Sequence, residues 1–418
     1  MPAFGVVTAI ANPALEAVVV GALADRPGEA QVVRRCVEVA DVLAVAASGA
    51  ARVVAIGERL TGLDADIVAT IASYGVVPVA ISESGARWPV ACRIPIVLDS
   101  ALAPQEIAEG ICAAARGSAD REVAIAADER SMSAGAPRGR VVAVWGPAGA
   151  PGRSTVALGV ADEAARAGSP CLLVDADVYG GSVAPMLGLL DESPGIAAAC
   201  RAASAGTLDL PALARTCLQV GPSLRVLTGI TRSDRWPELR PAAVEDLLER
   251  ARALAALTVV DCGFAIEQDE ELAYDTFAPR RNGATITLLE RADEVVLVTG
   301  CDPVGVARGI RAAQELRELL PSIRPRVVVN KVRSSVFRGD PTSQLREAFD
   351  RFAGVAVSAV LPFDQKACDT ALLRGRTLAD VASSSALRKA LAALAADLAA
   401  PVAAADGGRA VRRRFRAR

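Results

Sequence analysis

The residues of this chain whose types and spacing could do chemistry begin with a glycine loop between residues 146 and 155. The loop follows an apolar run that ends at Trp145, and it leads through Arg153 into a stretch rich in alanine, leucine and valine. Gly149 and Gly152 can turn the backbone so that successive N–H groups face one point, where a phosphate also meets the positive end of the next helix. This order of strand, loop and helix predicts a nucleotide phosphate site.

The hydroxyl residues after the loop predict a metal ligand. A hydroxyl directly after the basic residue of such a loop is placed to ligate Mg²⁺, which selects Ser154, and Thr155 is the next donor. The strict pattern G-x-x-x-x-G-K-[ST] has a lysine where this chain has Arg153 and a glycine where it has Pro147. An arginine still neutralises phosphate, but its planar fork is not a compact point charge. The loop therefore predicts nucleotide binding more firmly than turnover.

Acidic residues follow two of the predicted strands. The apolar run 171–174 ends on Asp175 and Asp177, and the run 257–260 ends on Asp261. Because the carboxyl ends of parallel strands meet in one crevice, these side chains should lie beside the loop. There they could hold a metal ion or metal-bound water, or orient an attacking water. For Asp261, a simple solvent-exposed strand end is the alternative.

Two later strands end on further polar or turn-forming residues. The run 327–329 ends on Asn330, and a short run at 360–361 leads into a turn that begins with Pro362 and includes Asp364. In a doubly wound sheet these ends would converge on the same crevice as the loop. Asn330 could instead cap a turn. The joint occurrence of the strand ends carries more weight than any one of them.

Composition divides the chain into two α/β parts. Residues 1–117 alternate apolar runs with alanine-rich stretches, and residues 140–401 do so on a larger scale. The segment 118–139 is rich in charge and small residues, which predicts a linker, and 402–418 form a basic flexible tail. We therefore expect a doubly wound, mostly parallel P-loop NTPase domain, preceded by a smaller flavodoxin-like or receiver-like α/β domain.

The first part is predicted to hold five strands and a final helix. The strands are expected at 5–10, 31–37, 52–56, 76–81 and 94–98, and the helix at 104–116. A working phosphoacceptor receiver needs an acidic cluster at its strand ends, yet the first strand leads to Asn12 and the third to Gly57. We expect a receiver fold without the phosphoacceptor, used for contacts. An α/β module of unassigned role is the alternative.

Composition also excludes several classes of function. A formal net charge of −2 over 418 residues predicts no general affinity for nucleic acid, and the absence of histidine excludes His-based triads and His-ligated metals. The nine cysteines are dispersed and form no C-x-x-C pair, so they predict buried thiols in a reducing compartment, with zinc binding as the alternative. Nothing resembles a signal peptide or a membrane span, so we expect a soluble, cytoplasmic protein.

The C-terminal region carries a second kind of signal. Leucines recur on one helical face, at Leu387, Leu391, Leu394 and Leu398. Packing onto the larger domain is their default role, and an interaction helix is the alternative. Beyond them, six arginines between Arg409 and Arg418, set against Asp406, give the tail a charge of +5. Such a tail predicts weak, salt-sensitive contact with nucleic acid or with anionic lipid, which would place the protein peripherally at the inner face of the membrane.

Over roughly 260 residues from Val141 onward, the chain resembles the ParA/MinD group of deviant P-loop ATPases. Within that group it is most similar to the CpaE/TadZ-like proteins, which carry an N-terminal pseudo-receiver. The family's loop K-G-G-x-G-K-[ST]-[ST] falls on residues 148–155, and its acidic strand end falls on Asp175 and Asp177. Its Walker B aspartate falls on Asp261, and its next strand matches the segment ADEVVLVT at 292–299.

This resemblance implies ATP and Mg²⁺ as ligands and a nucleotide-dependent homodimer. It implies that Asp177 orients the attacking water, and that Asn330 and the turn from Pro362 to Asp364 hold the adenine. Two family lysines are replaced: the signature lysine, which reaches the partner's nucleotide in the dimer, falls on Ala148, and the main loop lysine falls on Arg153.

Two functions follow from these patterns. The first is an ATP-binding, dimerising switch that positions a pilus or secretion machine, a division component or a partitioning component, with Asp177 and Arg153 as catalytic residues and slow hydrolysis. The second is a non-catalytic scaffold that acts through protein contacts alone. The replaced lysines decide between them, since the switch survives if Arg153 still cradles phosphate.

Overall fold

One parallel and one mostly parallel β-sheet form the framework of the computed structural model, which describes residues 3–58, 60–131, 138–149, 151–189, 195–268 and 280–400. The elements around the first sheet are β1 (Phe4–Ala9), α1 (Pro13–Ala24), β2 (Ala30–Arg35), α2 (Val39–Ala47), β3 (Val53–Gly57), α3 (Ala65–Ser73), β4 (Val77–Ser82), α4 (Trp88–Ala91), β5 (Ile96–Asp99) and α5 (Pro104–Ser131). Each of the five strands lies within two residues of its predicted bounds.

The first sheet has the strand order β2-β1-β3-β4-β5, with every neighbouring pair parallel. This is a doubly wound order of the flavodoxin kind. Leu43 and Ile71 help to fill one face from α2 and α3, while Leu23 and Ile111 help to fill the other from α1 and α5. Asn12 follows β1 and caps α1, because its side chain accepts hydrogen bonds from the first-turn backbone.

Helix α5 runs past the predicted end at Arg116 and continues to Ser131. It therefore occupies the first part of the segment that we predicted as a linker, and residues 132–137 lie outside the described part. The stretch is rich in alanine, glutamate and arginine, which favour helix as strongly as they indicate a solvated segment. Composition alone therefore could not locate the end of this helix.

The second sheet has eight strands, and helices cover both of its faces. Its elements are β6 (Arg140–Trp145), α6 (Arg153–Arg166), β7 (Cys171–Ala176), α7 (Val183–Met186), α8 (Gly195–Ser204), α9 (Leu210–Thr216), β8 (Leu218–Gln219), β9 (Leu224–Leu227), α10 (Pro241–Leu254), β10 (Leu257–Cys262), α11 (Gly283–Arg291), β11 (Glu294–Gly300), α12 (Pro303–Leu319), β12 (Arg326–Val332), α13 (Pro341–Ala353), β13 (Val357–Pro362), α14 (Gln365–Arg374), α15 (Leu378–Val381) and α16 (Ala386–Ala399).

The strand order of this sheet is β13-β12-β11-β6-β10-β7-β9-β8, and all pairs are parallel except β8 with β9. Strand β6 is central, so the loop that follows it emerges between the ends of β10 and β11. The inner strands are buried on both faces, as expected for a parallel sheet covered by helices. This confirms the prediction of a mostly parallel, doubly wound α/β domain.

The C-terminal leucine face packs inward. Leu387, Leu391, Leu394 and Leu398 are all buried, and Leu391 lies against Gly159 of α6. The default packing role is therefore confirmed, and this face is not available as an interaction surface. The basic tail from Arg409 to Arg418 lies outside the described residues.

Charged contacts join the first α/β unit to helix α10 of the second. The guanidinium of Arg93 donates to Glu245 (2.7 Å), to Asp246 (2.5 Å) and to the carbonyl of Ala242 (2.7 Å), all on α10. From the same side, the carboxylate of Asp66 accepts the backbone N–H of Ala242 at 2.8 Å. The first α/β unit therefore contacts the beginning of α10 through Arg93 and Asp66.

All nine cysteines are free thiols, and eight of them are buried. Burial raises the pKa of the Cys171 and Cys200 thiols to about 12, so these groups stay protonated and unreactive near neutral pH. Across the described ranges, no helix combines the length and the apolar character needed to cross a membrane.

Candidate nucleotide site

The loop after β6 has the backbone geometry that its glycines predict. Gly149 and Gly152 have φ angles of +106° and +95°, in the region that L side chains rarely adopt. Gly152 directly precedes the first residue of α6 and leaves no room for a side chain, since a Cβ there would lie 2.4 Å from the amide nitrogen of Asn330. That nitrogen donates to the carbonyl of Pro151 at 2.9 Å, so β12 supports the loop.

Close packing fixes where the loop leaves the sheet. A Cβ on Gly146 would lie 2.1 Å from the carbonyl oxygen of Val298 on β11, so only glycine fits there. On the other side, the indole N–H of buried Trp145 donates to the carbonyl of Phe264 at 3.0 Å. The start of the loop is therefore packed against β11, and the end of β6 is bonded to the segment that follows β10.

Arg153 turns back onto its own loop. One terminal nitrogen donates to the carbonyls of Gly146 (3.2 Å) and Pro147 (3.0 Å), and the other lies 3.7 Å from the carboxylate of Asp177. Its Nε is buried and has no hydrogen-bond partner among the described residues. The two residues predicted as catalytic thus lie together, but the arginine charge is directed at the protein.

Asp175 holds the turn that follows β7. It is 1% exposed, and its carboxylate accepts the backbone N–H of Val183 (2.9 Å) and of Asp177 (3.4 Å). Gly181 and Gly229 pack directly against it. Burial raises the pKa of Asp175 to about 6.

Asp177 is bonded to a small aromatic cluster that no sequence motif predicts. Its carboxylate accepts the backbone N–H of Tyr179 at 2.9 Å. The Tyr179 ring lies 4.5 Å from the ring of Phe264 and 4.1 Å from the guanidinium of Arg281. The segment after β7 therefore contacts the segment after β10. A tyrosine two residues after Asp177, in a chain with 3% aromatic residues, was the available signal.

Asp261 is a buried carboxylate that forms no ion pair with the residues that the structure describes. It is 1% exposed, and neither of its side-chain oxygens has a hydrogen-bond partner among the described residues. It stands directly opposite Asp175 in the pairing of β10 with β7. Burial, with the charge of Asp175 as the second cause, raises the pKa of Asp261 well above its ordinary value. The predicted alternative of an exposed strand end does not fit this burial.

Ser154 lies close to this carboxylate pair, at the start of α6. The hydroxyl of Ser182 donates to the hydroxyl of Ser154 at 2.9 Å. Ser154 lies near enough to Asp261 to lower the pKa of that carboxyl group. In the described part of the chain, no group of three or more Asp, Glu, Cys or His side chains is close enough together to hold a metal ion. One hydroxyl and one or two carboxylates nevertheless suit Mg²⁺, which usually keeps several waters and shares substrate phosphates.

The residues predicted to hold the base have structural partners of their own. The carboxylate of Asp364 accepts the backbone N–H of Ala367 (3.1 Å) and the hydroxyl of Ser385 (2.7 Å), so it caps α14. Pro362 is the last residue of β13, and the residue after it, Phe363, is 41% exposed. Base contact by Asn330, Pro362 and Asp364 stays a prediction.

Thr155, the second predicted donor, helps to line a mostly apolar cavity of about 40 Å³, together with Leu158 of α6, Cys368 of α14 and Leu391 of α16. Its contact with phosphate also stays a prediction.

Three basic residues surround a recess on the opposite side of the loop. Arg308, Lys331 and Arg333 line it, with Ala148 and Gly149 of the loop. No motif marks Arg308. Lys331 adjoins Asn330, and its side chain packs beside Gly152.

Comparison with known proteins shows similarity of fold to solved structures. No family model matches the chain, and no curated protein matches it. Among solved structures, a ParA family ATPase from Chlorobium tepidum TLS matches with a TM-score of 0.51 and 22% identity, covering 62% of this chain and 99% of its own.

Two archaeal structures align over the same share of this chain. The cell division ATPase MinD from Pyrococcus furiosus has a TM-score of 0.49 and 18% identity, and 98% of it is covered. The septum site-determining protein MinD complexed with Mg-ADP from Pyrococcus horikoshii OT3 has a TM-score of 0.47 and 16% identity, and 95% of it is covered. About three fifths of this chain thus has the fold of a ParA family ATPase.

Proposed function

We propose that this chain binds Mg-ATP at the loop after β6 and acts as a nucleotide-dependent, dimerising switch of the ParA/MinD kind. The observation that carries the proposal is Asp261, a buried carboxylate whose two oxygens lack a hydrogen-bond partner among the described residues. A buried, unpaired charge is costly to keep, and a cation beside it would relieve that cost. Ser154, at the start of α6, supplies a hydroxyl on the same side.

The residues present fit a magnesium nucleotide. The loop backbone around Gly149 and Gly152 would bind phosphate oxygens, and Ser154 with Asp261 would hold Mg²⁺, with Asp175 behind them. The ion would supply charge neutralisation on the phosphates when bound. Asp177 would orient a water only after Arg153 has left it, because the two side chains now lie 3.7 Å apart.

We place the protein nearest to the CpaE/TadZ-like branch, in which the first domain is a receiver-like unit without a phosphoacceptor. The strand order β2-β1-β3-β4-β5 and the neutral cap Asn12 support this assignment. The switch would position a larger protein assembly such as a pilus or secretion machine, a division component or a partitioning component. It would work in the cytoplasm, with the tail from Arg409 to Arg418 making weak contact with membrane or nucleic acid.

A scaffold without catalysis is the second candidate, and the position of Arg153 favours it. The guanidinium is held by two loop carbonyls. The loop position where the family has its signature lysine is Ala148. A loop that cannot release its arginine would bind phosphate weakly and would not hydrolyse ATP.

Titration calorimetry of the full chain with Mg-ATP tests the choice, with oligomeric state followed by light scattering. Wild type should bind saturably and shift from monomer to dimer. The double variant Ser154→Ala/Asp177→Ala should lose binding while its thermal unfolding stays cooperative. The control Ser204→Ala/Asp350→Ala changes one exposed serine and one exposed aspartate elsewhere, and it should bind as wild type does. No binding by wild type at millimolar ATP would leave the scaffold.

A further inference from the structure

A positively charged recess lies beside the loop of the candidate site. It has a volume of about 120 Å³ and lies between the start of the loop and the helix after β11. Since one water needs about 10–15 Å³ of such space, the recess is large enough to admit a phosphate-sized group.

The charged side chains that line the recess are one carboxylate, Asp302, and three basic groups, Arg308, Lys331 and Arg333. Their formal charges sum to a positive value. That carboxylate already accepts the backbone N–H groups of Val304 (3.1 Å) and Gly305 (3.0 Å), and the bond from Gly305 is the main reason why its pKa is lowered. Asp302 is therefore engaged in starting α12, and the lining of the recess keeps a net positive formal charge.

Arg308 reaches the loop because α12 packs directly on the end of β11. A Cβ on Gly305 would lie 2.8 Å from the backbone of Gly300, so the first turn of the helix sits against the strand end. Arg308 follows one turn later on the same face. Its guanidinium donates to the carbonyl of Ala148 at 3.4 Å and covers Gly149, where a Cβ would lie 2.2 Å from it.

Lys331 is directed to the same place by an unusual backbone. Its φ of +57° lies in the left-handed region, which residues other than glycine rarely adopt. The thiol of buried Cys301 donates to its carbonyl at 3.0 Å, which holds this conformation. The side chain then lies beside Gly152, and a Cβ on that glycine would be 3.9 Å from its Cε.

We propose that this recess is a second phosphate subsite, in which Arg308, assisted by Lys331, supplies from α12 the positive charge that the loop itself lacks at Ala148. The inference rests on the proposed nucleotide binding. Its ligand is a terminal phosphate group of a nucleotide, either one bound at the same loop or one held by a second copy of the chain.

The test compares Arg308→Ala, Arg308→Lys and the control Arg311→Ala in the full chain. Arg311 lies on the same helix, is exposed and does not line the recess, so its variant makes the same change in net charge. Calorimetry with Mg-ATP and with Mg-ADP gives affinities at several protein concentrations, and light scattering gives the dimer fraction. Circular dichroism checks that each variant folds.

Arg308→Ala should weaken Mg-ATP binding about tenfold or more, as expected for a lost charged hydrogen bond, while Arg308→Lys retains most of the affinity and Arg311→Ala retains all of it. A loss that is independent of protein concentration assigns the phosphate to the chain's own nucleotide. A loss confined to concentrations at which wild type dimerises assigns it to the second copy.

Equal affinity of Arg308→Ala and wild type would overturn the subsite and leave the proposed function standing. An equal loss in Arg311→Ala would also overturn it, because general charge would then explain the effect. Absence of nucleotide binding by wild type would overturn the proposed function and the subsite with it.

Discussion

The hydroxyl of Ser182 donates a hydrogen bond to the hydroxyl of Ser154 across 2.9 Å. This bond joins the turn after β7 to the loop at the residue predicted to bind Mg²⁺. The next residue, Val183, donates its backbone N–H to Asp175, so the same turn is tied to the carboxylate pair. A ligand that uses the Ser154 hydroxyl therefore shares it with this turn.

Replacing Ser182 with alanine removes the competitor for the Ser154 hydroxyl. Because a neutral hydrogen bond contributes about 0.5–1.5 kcal/mol net, Mg-ATP affinity should stay equal or rise up to about tenfold. Calorimetry on the full chain measures this, with Ser154→Ala as the comparison that loses binding. A loss in Ser182→Ala as large as that in Ser154→Ala would mean that Ser182 is itself a ligand.

Replacing Arg153 with lysine should free the loop. A lysine ammonium lacks the planar fork that now spans two loop carbonyls, and it is a compact charge suited to phosphate. We expect equal or tighter Mg-ATP binding and a rise of roughly tenfold in phosphate release, measured on the full chain. Arg153→Ala provides the charge control and should gain neither. Unchanged release in Arg153→Lys would show that the arginine does not limit turnover.

Replacing Asp261 with asparagine should stabilise the ligand-free protein and abolish magnesium-dependent binding. The substitution removes a buried charge without a hydrogen-bond partner among the described residues, and leaving such a group unsatisfied costs about 1–3 kcal/mol. Urea unfolding at pH 7.5 measures the first effect and calorimetry the second. Asp350→Asn, on the exposed surface of α13, should change neither. Destabilisation by Asp261→Asn would indicate that the carboxylate is paired in solution.

The raised pKa of Asp175 predicts a pH dependence of stability. Between about pH 4 and its folded pKa of about 6, the folded state keeps a proton that the unfolded state has lost. The free energy of unfolding of the ligand-free chain should therefore fall as pH rises through this window, by about 2–3 kcal/mol from this group, and level off above it. Asp175→Asn should flatten the profile. The same slope in that variant would exclude Asp175 as the cause.

Replacing Arg93 with alanine should loosen the contact between the two α/β units. Its guanidinium makes three bonds to α10 and is 32% exposed in its side chain, so we expect a loss of about 1–2 kcal/mol, reduced by added salt. Thermal unfolding and limited proteolysis measure it. Arg93→Lys should be intermediate, and exposed Arg87→Ala should match wild type. Equal stability of the alanine variant and wild type would show that this contact contributes nothing measurable.

The sequence predicted most of the framework because local signals agreed with the fold. Apolar runs marked the strands, and glycines at 149 and 152 marked the left-handed turns of the loop. The convergence of Ser154, Asp175 and Asp261 followed from one rule, that the carboxyl ends of parallel strands share a crevice. These residues could be found because each directly follows a recognisable strand or loop.

Other features depend on contacts between distant segments. Arg308 lies 160 positions from Ala148 along the chain, and no spacing rule links an arginine in α12 to a loop carbonyl. Arg153 matched the pattern, but its turn back onto Gly146 and Pro147 depends on which acceptors surround it in space. Arg93 gave no signal, since a lone surface arginine is common.

Asp66 caps α10 from outside the domain to which that helix belongs. The first backbone N–H groups of a helix need acceptors, and here one is satisfied by a carboxylate about 176 positions earlier in the chain. A fragment that starts at residue 138 would expose this helix end and also leave Glu245 and Asp246 without Arg93. The two α/β units should therefore share part of their folding cooperativity, so separating them at the apparent boundary would change the stability of the second unit.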